Sequence, residues 1–286
     1  MNHWQLMDLP EVKINSLTEE EYAQKLRSQG KNVILHKGRY WKESIVGFYE
    51  PLHYLARLTS EQATSLSVLN WGSRASLCEE DATEANGSIP IHLLSDIAGY
   101  DENSLPQKRR TDLRKCLKLV KFVQLIGPAL LQEQGYEVLC SSLARTGHKK
   151  PPSKQEYLAS LDGFTTDKNR LVLAALIDGK LGGYIDGLAI EGSAYMISGY
   201  YVTEALNTSM VTGFNFEFVQ ICRRSGGIQE VSDGLHLRER PTLDQAKSSI
   251  GFPVKYVPAK VYMNPIVKPL IRRAFPHKYY RLTGHD

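Results

Sequence analysis

Residues 233–252, DGLHLRERPTLDQAKSSIGF, place a carboxylate, an imidazole and an ammonium group close together in the chain. Side chains of these types can serve general acid–base chemistry, in which a positioned group takes or gives a proton. Asp233 and His236 are of types that accept a proton, and Lys247 is of the type that binds a phosphate or carboxylate. The alternative interpretations are structural: a self-bonded Asp-Gly turn, an exposed loop histidine and a solvated helix lysine.

Further acid–base candidates lie in predicted strands earlier in the chain. Tyr200 and Tyr201 are adjacent, so in a strand their side chains point to opposite faces. One is expected in the core, and we take Tyr200 as the candidate that lines a cleft and hydrogen-bonds a substrate. Asp186 and Glu230 are weaker candidates, for which a place on the surface or on a strand face is the alternative.

The stretch LPQKRRTDLRKCLKLVKFV predicts a basic helix over residues 106–122, which begins at a proline. Its apolar face carries Leu113, Leu117 and Val120. Three cations stack on another face at intervals of four residues: Arg110, Arg114 and Lys118. Such cations repel each other unless an anion or an acid is near. They are either a solvated face close to Asp112 or a contact for a phosphate-bearing ligand such as coenzyme A, a nucleotide-linked sugar, a lipid headgroup or tRNA.

The end of the chain is a second basic region. From residue 255 onward there are seven cations against one acid, Asp286, and apolar side chains interleave with them. A short amphipathic segment of this kind can lie on an anionic membrane. Pro265, Pro269 and Pro276 exclude one long helix, and packing back onto the domain is the alternative.

Composition bounds the class of protein. The 286 residues are 42% apolar and 23% charged, with a formal net charge of +4, which is ordinary for a globular chain with a full core. The four cysteines form no C-x-x-C pair and lie at no metal-ligand spacing, so we expect neither a disulfide framework nor a metal site. The first residues lack the apolar core of a signal peptide, and no apolar run approaches a membrane span, so a cytoplasmic location is expected.

The last third of the sequence has the clearest element pattern. Asp178-Gly179 and Glu191-Gly192 separate three strand-like runs and predict an antiparallel meander. A helix then begins near residue 208 and ends at Gly226-Gly227, and a strand, a short helix and a last strand follow. The predicted order is β-β-β-α-β-α-β.

That order resembles the acyltransferase domain of the GNAT superfamily, and more narrowly its Fem-like branch of aminoacyltransferases and acetyltransferase-like proteins. RRTDLRKCLK (109–118) is similar to the LRR-x-x-RK helix of that branch, and QAKSSIGF (245–252) to its FK-x-x-x-GF motif. The Asp-Gly strand end at Asp233 is a third common feature. The resemblance covers roughly residues 105–262. It implies a helix start that receives the donor's phosphates and a lysine at Lys247.

Two departures bear on the donor. Coenzyme A-dependent members have a glycine-rich phosphate loop, whereas the corresponding EALNTSM (204–210) has no glycine. Thr208, Ser209 and Met210, with the backbone N–H groups of that helix start, are the remaining candidates for binding a phosphate. Many such members also carry a tyrosine general acid four residues before the Gly-Phe glycine, where this chain has Lys247.

We therefore predict an α/β protein with a GNAT-like domain, a mixed and largely antiparallel sheet flanked by helices. The predicted domains are an N-terminal α/β region at 1–150, a degenerate second half in one interpretation, the GNAT-like domain at 151–264 and a basic tail at 265–286. The predicted function is transfer of an acyl or aminoacyl group from acyl-coenzyme A or aminoacyl-tRNA to an amine, without metal. The alternative is a non-catalytic protein of this fold that binds an anionic ligand, RNA or a membrane surface. The donor, acceptor and oligomeric state stay open.

Overall fold

The computed structural model describes residues 4–67, 70–147, 149–161 and 167–285. The strands are β1 (Leu6–Asp8), β2 (Ser16–Leu17), β3 (Val33–His36), β4 (Arg39–Ile45), β5 (Phe48–Pro51), β6 (Gly72–Ser76), β7 (Gly87–Leu94), β8 (Lys121–Leu125), β9 (Leu171–Ile177), β10 (Lys180–Ile190), β11 (Ser193–Tyr201), β12 (Glu230–Leu235) and β13 (Val254–Met263). The α-helices are α1 (Glu19–Ser28), α2 (Gln107–Leu119), α3 (Tyr136–Thr146), α4 (Lys154–Ser160), α5 (Met210–Ser225), α6 (Pro241–Ser248), α7 (Val267–Ala274) and α8 (Pro276–Thr283). Short 3₁₀ turns occupy Leu9–Glu11, Ala82–Glu84, Glu102–Ser104 and Glu204–Thr208, and Leu131–Gly135 is a π turn.

Backbone contacts divide the chain into two compact units. The first unit contains Met1–Ser16, Leu94–Ser232 and Ser249–Gly251, and the second contains Leu17–Leu93, Asp233–Ser248 and Phe252–Asp286. The basic helix and the β-meander therefore belong to the same unit. The domain boundaries predicted at 150 and 264 stay a prediction.

The sheet of the first unit follows the order β1-β8-β9-β10-β11-β12. All neighbours are antiparallel except β11 and β12, which are parallel. The two predicted turns of the meander are confirmed, since Asp178 and Gly179 have φ of 48° and 77°, and Glu191 and Gly192 have 48° and 79°. Two successive residues at positive φ form the turn whose twist matches that of a hairpin.

Helix α5 covers one face of this sheet. Phe214, Phe218 and Ile221 are buried, as their spacing predicts, and Gly226 at φ 71° ends the helix. The other face is covered by α3 and α4, and Ser153 and Glu156 form a capping box at the start of α4. The core on that face includes Val123, Leu125, Leu131, Val138, Val172 and Ala174.

The predicted extent of the basic helix is wrong at its C-terminal end. Helix α2 stops at Leu119, and residues 121–125 form β8, which pairs with β9. Leu117 is 44% exposed, and Cys116 is buried instead. The helical spacing continues past Leu119, but β-branched and aromatic side chains at 120–123 gain more by pairing in the sheet.

The second unit contains a sheet of order β7-β13-β6-β5-β4-β3. A hairpin at Lys37-Gly38 joins β3 and β4, and Thr18 and Glu21 form a capping box at the start of α1. Trp41, Phe48 and Leu52 are fully buried. The interpretation of the N-terminal region at 1–150 as a degenerate second half stays a prediction.

The basic tail of the second unit forms two short helices. Helix α7 ends before Phe275, and Pro276 occupies the first turn of α8, so the prolines interrupt the tail as predicted. Tyr279 and Tyr280 of α8 are buried. In the described ranges we found no helix with the length and apolar character needed to cross a bilayer.

His53 predicts a pH dependence of the second unit's stability. It is 6% exposed, and its pKa is lowered to about 3 by burial and by nearby cations: Arg39, Lys42 and Arg57. The unfolded histidine titrates near 6.5, so the unfolded state binds more protons between these pH values. The stability that the neutral His53 contributes is fully present above about pH 6.5. It is lost as the pH falls toward the folded-state pKa, at up to about 1.4 kcal/mol of unfolding free energy per pH unit.

Urea unfolding near pH 7 and pH 5 measures this loss. We expect His53→Gln to lose less stability over that interval than the unchanged protein, by up to about 2 kcal/mol. The matched control is His277→Gln, since the His277 side chain is 53% exposed. Equal losses in all three proteins would contradict the assignment.

Candidate active site

Strand β11 departs from both of its neighbours at one place in the first unit. On one side, Asp186 of β10 faces Ser198 and Gly187 faces Met196, so Ile197 is an extra residue and β11 is bulged there. On the other side, pairing with β12 covers residues 193–195 only. Ile197 is 52% exposed. The amide groups at the bulge are thus displaced from the regular ladder at an accessible position.

A fully buried carboxylate fixes this bulge. Asp186 is 0% exposed, and its Oδ2 accepts hydrogen bonds from Arg170 Nε at 2.8 Å and Nη2 at 2.6 Å. Its Oδ1 accepts a hydrogen bond from the hydroxyl of Ser198, the residue next to the bulge. A buried carboxylate that accepts hydrogen bonds from a guanidinium and a hydroxyl has the hydrogen-bond partners that its burial requires. Both oxygens of Asp186 are therefore engaged by protein groups, and its candidacy as an acid or base stays a prediction.

Tyr200 and Tyr201 point to opposite faces of β11, as predicted. Tyr201 packs against Phe214 of α5 at 5.8 Å between ring centroids. Tyr200 packs against Tyr184 at 5.3 Å on the opposite face, beside Tyr157. Burial, reinforced by Asp186, raises the pKa of Tyr200 above its ordinary value. A phenol of raised pKa stays protonated at neutral pH and can donate a proton but not accept one.

The start of α5 is the candidate site for a phosphate. Ser209 adopts a left-handed conformation with φ 62°. Its carbonyl accepts hydrogen bonds from the amides of Thr212 and Gly213, which are the first such bonds of the helix. The amides of Met210 and Val211 precede them at the positive end of a helix of 16 residues.

Of the three residues predicted to bind a phosphate at this helix start, two have side chains that are buried. The hydroxyl of Thr208 is buried and donates to the carbonyl of Ala205 at 2.7 Å, and the side chain of Met210 is fully buried. Ser209 is half-buried and its side chain caps no amide of the helix. The available groups are therefore the first amides of α5 and the Ser209 hydroxyl.

The cations of α2 lie in the same unit. Lys115 donates to the carbonyl of Asn207 at 2.8 Å, which ties α2 to the turn before α5. Arg114 pairs with Glu102, so one of the three stacked cations has an acid partner. Arg110 is half-buried and Lys118 is exposed on the same helix. The structure thus supplies one cation contact at the candidate phosphate site that sequence analysis did not select.

Asp233 and Lys247, both in the second unit, form an ion pair. Lys247 Nζ lies 3.3 Å from Asp233 Oδ1 and also donates to the carbonyl of Asp233, and the two side chains are 17% and 19% exposed. Burial raises the pKa of Asp233, and Lys247 opposes that rise. Asp233 lies within β12, not in a self-bonded turn, and Lys247 is not a solvated helix lysine.

His236 belongs to a second polar cluster of the same unit. Its Nδ1 lies 2.6 Å from the Tyr280 hydroxyl, and its Nε2 lies 3.9 Å from Asp244 Oδ1. His92 approaches the same oxygen at 3.7 Å from the other side, and its Nδ1 donates to the carbonyl of Phe252. Burial lowers the pKa of His92, which keeps that ring neutral. His236 is thus an ordered histidine and not an exposed one.

Sequence analysis missed several of these residues. Arg170 precedes a strand and carried no motif, and Ser198 and His92 stood alone in their segments. The Glu191-Gly192 turn fixes which residues of β10 and β11 face each other, because Ile190 pairs with Ser193 directly beside it. Extending this pairing along the hairpin would have placed Asp186 near residues 197 and 198. In the described part of the chain, no group of three or more His, Cys, Asp or Glu side chains is arranged to hold a metal ion.

Comparison with known proteins identifies the fold. No family model matches the sequence. No curated protein matches it either. Among solved structures, FemX matches 89% of this chain and 93% of its own, with a TM-score of 0.61 and 10% identity.

Two further structures agree over most of the chain. L-PGS from Bacillus licheniformis matches 100% of both chains with a TM-score of 0.55 and 12% identity. The C-terminal domain of a protein assigned as a lysylphosphatidylglycerol synthetase from Agrobacterium fabrum matches 93% of this chain and 98% of its own, with a TM-score of 0.58 and 12% identity. The predicted fold class, α/β and GNAT-like, and the resemblance to Fem-like proteins are confirmed. At these identities the likeness concerns the fold.

Proposed function

We propose that this protein catalyses transfer of an acyl or aminoacyl group from an activated donor to an amine. The observation that carries the proposal is the bulge of β11 at Ile197, where the strand leaves the ladders of both neighbours. Displaced amide groups on a rigid strand are suited to bind the donor carbonyl and the oxyanion that forms from it. FemX and L-PGS share this fold, which supports the assignment.

The reaction balances without a cofactor beyond the donor. The amine nitrogen attacks the carbonyl carbon of a thioester or ester, and the carbonyl electrons move onto the oxygen. Collapse of this oxyanion expels a thiolate or a ribose alkoxide, which must then gain a proton, while the attacking nitrogen loses a proton to a base. Tyr200 stays protonated at neutral pH and so has a proton to give to the leaving group, while its raised pKa makes it a weaker acid than a free tyrosine. Asp233 or His236 as the base stays a prediction.

The first turn of α5 is proposed to hold the donor's phosphate. Coenzyme A carries a pyrophosphate at the far end of the pantetheine arm from its thioester, and the terminal nucleotide of aminoacyl-tRNA carries a phosphate on the ribose that bears the ester. Helix N-termini bind such groups. The absence of glycine at 204–210 favours a donor that approaches this turn less closely than a pyrophosphate does. The same absence supports the alternative, a non-catalytic protein that binds an anionic ligand.

Binding and transfer are measured separately. Calorimetry with acetyl-coenzyme A and with aminoacyl-tRNA identifies the donor, and a labelled acyl group followed onto a mixture of primary amines reports transfer. We expect binding of one donor and transfer from it. Binding without transfer supports the non-catalytic alternative. If the protein binds neither donor at millimolar concentration, the proposal is wrong.

A matched pair of variants at Ser209 tests the phosphate site. Ser209→Asp places a carboxylate at the start of α5, where it stabilises the helix but repels a phosphate. Ser209→Asn is neutral, nearly isosteric and equally tolerant of the left-handed backbone. We expect the aspartate to weaken donor binding by about tenfold or more and the asparagine to change it by about twofold or less. Equal affinities in both variants would place the phosphate elsewhere.

A further inference from the structure

Large apolar side chains are exposed at one end of the second unit's sheet and along the helix that follows it. They are Ile45 and Val46 at the tip between β4 and β5, Ile266 and Leu270 on α7, and Phe275 after it. Each is between 52% and 86% exposed. Scattered exposed apolar residues are ordinary, whereas a contiguous set indicates a binding surface.

Strand register brings the tip and the helix together. Phe48 of β5 pairs with Gly72 of β6, and Gly72 pairs with Met263 of β13. The residues just beyond these pairs, the hairpin tip, Trp71 and the start of α7, therefore lie at the same end of the sheet. We call this set with Phe275 the apolar end.

Trp71 connects the two parts of the apolar end. Its Nε1 donates to the carbonyl of Val46 at 2.6 Å, and its own carbonyl accepts from the amide of Asn264 at 2.7 Å. Asn264 in turn accepts from the amide of Ile266 at 2.9 Å. Trp71 is half-buried, with its ring 4.8 Å from Phe48. A tryptophan with one buried and one exposed edge is typical of residues at a membrane surface.

Cations border the apolar end on α7 and α8. Ile266, just before α7, and Leu270 and Ala274 within it recur every four residues on an exposed face. Arg273 follows Ile266 by seven residues and so borders this face, whereas Lys268 and Arg272 lie on the opposite side of the helix. Lys278 follows and lies 4.7 Å from the ring of Phe275. From residue 255 to the end the sequence has seven cations and one acid, and Glu239 pairs with Arg281.

We propose that the apolar end docks this chain onto an anionic lipid surface. Aliphatic side chains insert between headgroups while the neighbouring cations contact lipid phosphates, which is the pattern of interfacial helices. RNA would engage the cations but leave the aliphatic side chains exposed. A second copy would bring this positive surface against itself, because a two-fold interface uses the same patch twice. The proposal is independent of the proposed transferase activity.

Co-sedimentation of the full chain with vesicles tests the proposal. We expect binding to vesicles of phosphatidylcholine mixed with phosphatidylglycerol, weaker binding to phosphatidylcholine alone, and loss of binding as salt is raised. Val46→Ser with Ile266→Ser removes two anchors and is expected to weaken binding tenfold or more. Arg273→Gln with Lys278→Gln is expected to weaken it about fivefold per cation, on anionic vesicles only.

Leu35→Ser is the matched control. Leu35 is 59% exposed on β3, where it pairs with Tyr40 at the other end of β4 from Ile45. Its replacement should leave vesicle binding unchanged. Failure of the unchanged protein to sediment with anionic vesicles at low salt would overturn the proposal. Two other outcomes would also overturn it. Dimerisation in the absence of lipid, if Val46→Ser abolishes it, would favour a second copy as the partner. RNA binding, if only the charge variant loses it, would favour RNA.

Discussion

Replacing Lys247 with methionine is expected to lower the free energy of unfolding by about 3 kcal/mol, whereas Asp233→Asn lowers it by about 1 kcal/mol. The asymmetry follows from what each change leaves behind. Methionine leaves the Asp233 carboxylate in a site where burial already raises its pKa. Asparagine removes that charge, and Lys247 keeps its hydrogen bond to the Asp233 carbonyl. The loss of about 3 kcal/mol for Lys247→Met lies at the low end of the range for breaking a buried ion pair, because both side chains retain some exposure.

The pH dependence identifies the buried charge as the cause. Without Lys247 the pKa of Asp233 rises further, so the stability of the variant is greatest when the carboxyl is protonated and is lost as the pH rises through that pKa. The deficit of Lys247→Met relative to the unchanged protein should therefore shrink from pH 7 to about pH 4.5. Urea unfolding at both pH values measures it. Lys31→Met, at an exposed lysine of the same unit, should change stability by less than about 0.5 kcal/mol at either pH.

Activity separates a catalytic pair from a structural one. If Asp233 takes the proton from the amine, Asp233→Asn lowers kcat by about a hundredfold or more while the protein stays folded. Unchanged turnover would remove Asp233 from the mechanism and leave the pair with a structural role. The combined variant, Asp233→Asn with Lys247→Met, should be more stable than Lys247→Met alone, because no charge is then left unpaired.

The sequence predicted the elements of the first unit well because their signals are local. The turns at Asp178-Gly179 and Glu191-Gly192 require two successive residues at positive φ, and Gly226 ends α5 in the same way. The end of α2 was not predictable from spacing. Residues 120–123 continue a helical pattern, and only their pairing with β9 makes them a strand.

The candidate site shows the same limit at the level of single residues. With Ile190 paired to Ser193, a regular hairpin would set Asp186 opposite Ile197, but the bulge moves its partner to Ser198. The carboxylate's partners therefore depend on one inserted residue that no local pattern marks. Asp233 and Lys247 were selected from their spacing and residue types, and their ion pair gives that spacing a physical cause. Their roles stay predictions.

Ser198→Ala is expected to lower kcat about 10- to 100-fold while lowering stability by only about 1 kcal/mol. The hydroxyl of Ser198 bonds Asp186 beside the bulge, so its loss frees the bulge amides to move. The carboxylate keeps both hydrogen bonds from Arg170 and stays satisfied. Because the phosphate site at the start of α5 is unchanged, the KM for the donor should stay within about twofold.

Ser193→Ala is the matched control on the same strand. Ser193 donates to the buried carboxylate of Glu230 at 2.6 Å, but it lies in the regular part of β11 that pairs with both neighbours. Its loss should cost a similar amount of stability and leave kcat unchanged. Ser198→Thr retains the hydroxyl and suits a strand, so it should restore most of the turnover. Equal kcat values in Ser198→Ala and Ser193→Ala would mean that Asp186 only stabilises the sheet, and the oxyanion would then need another donor.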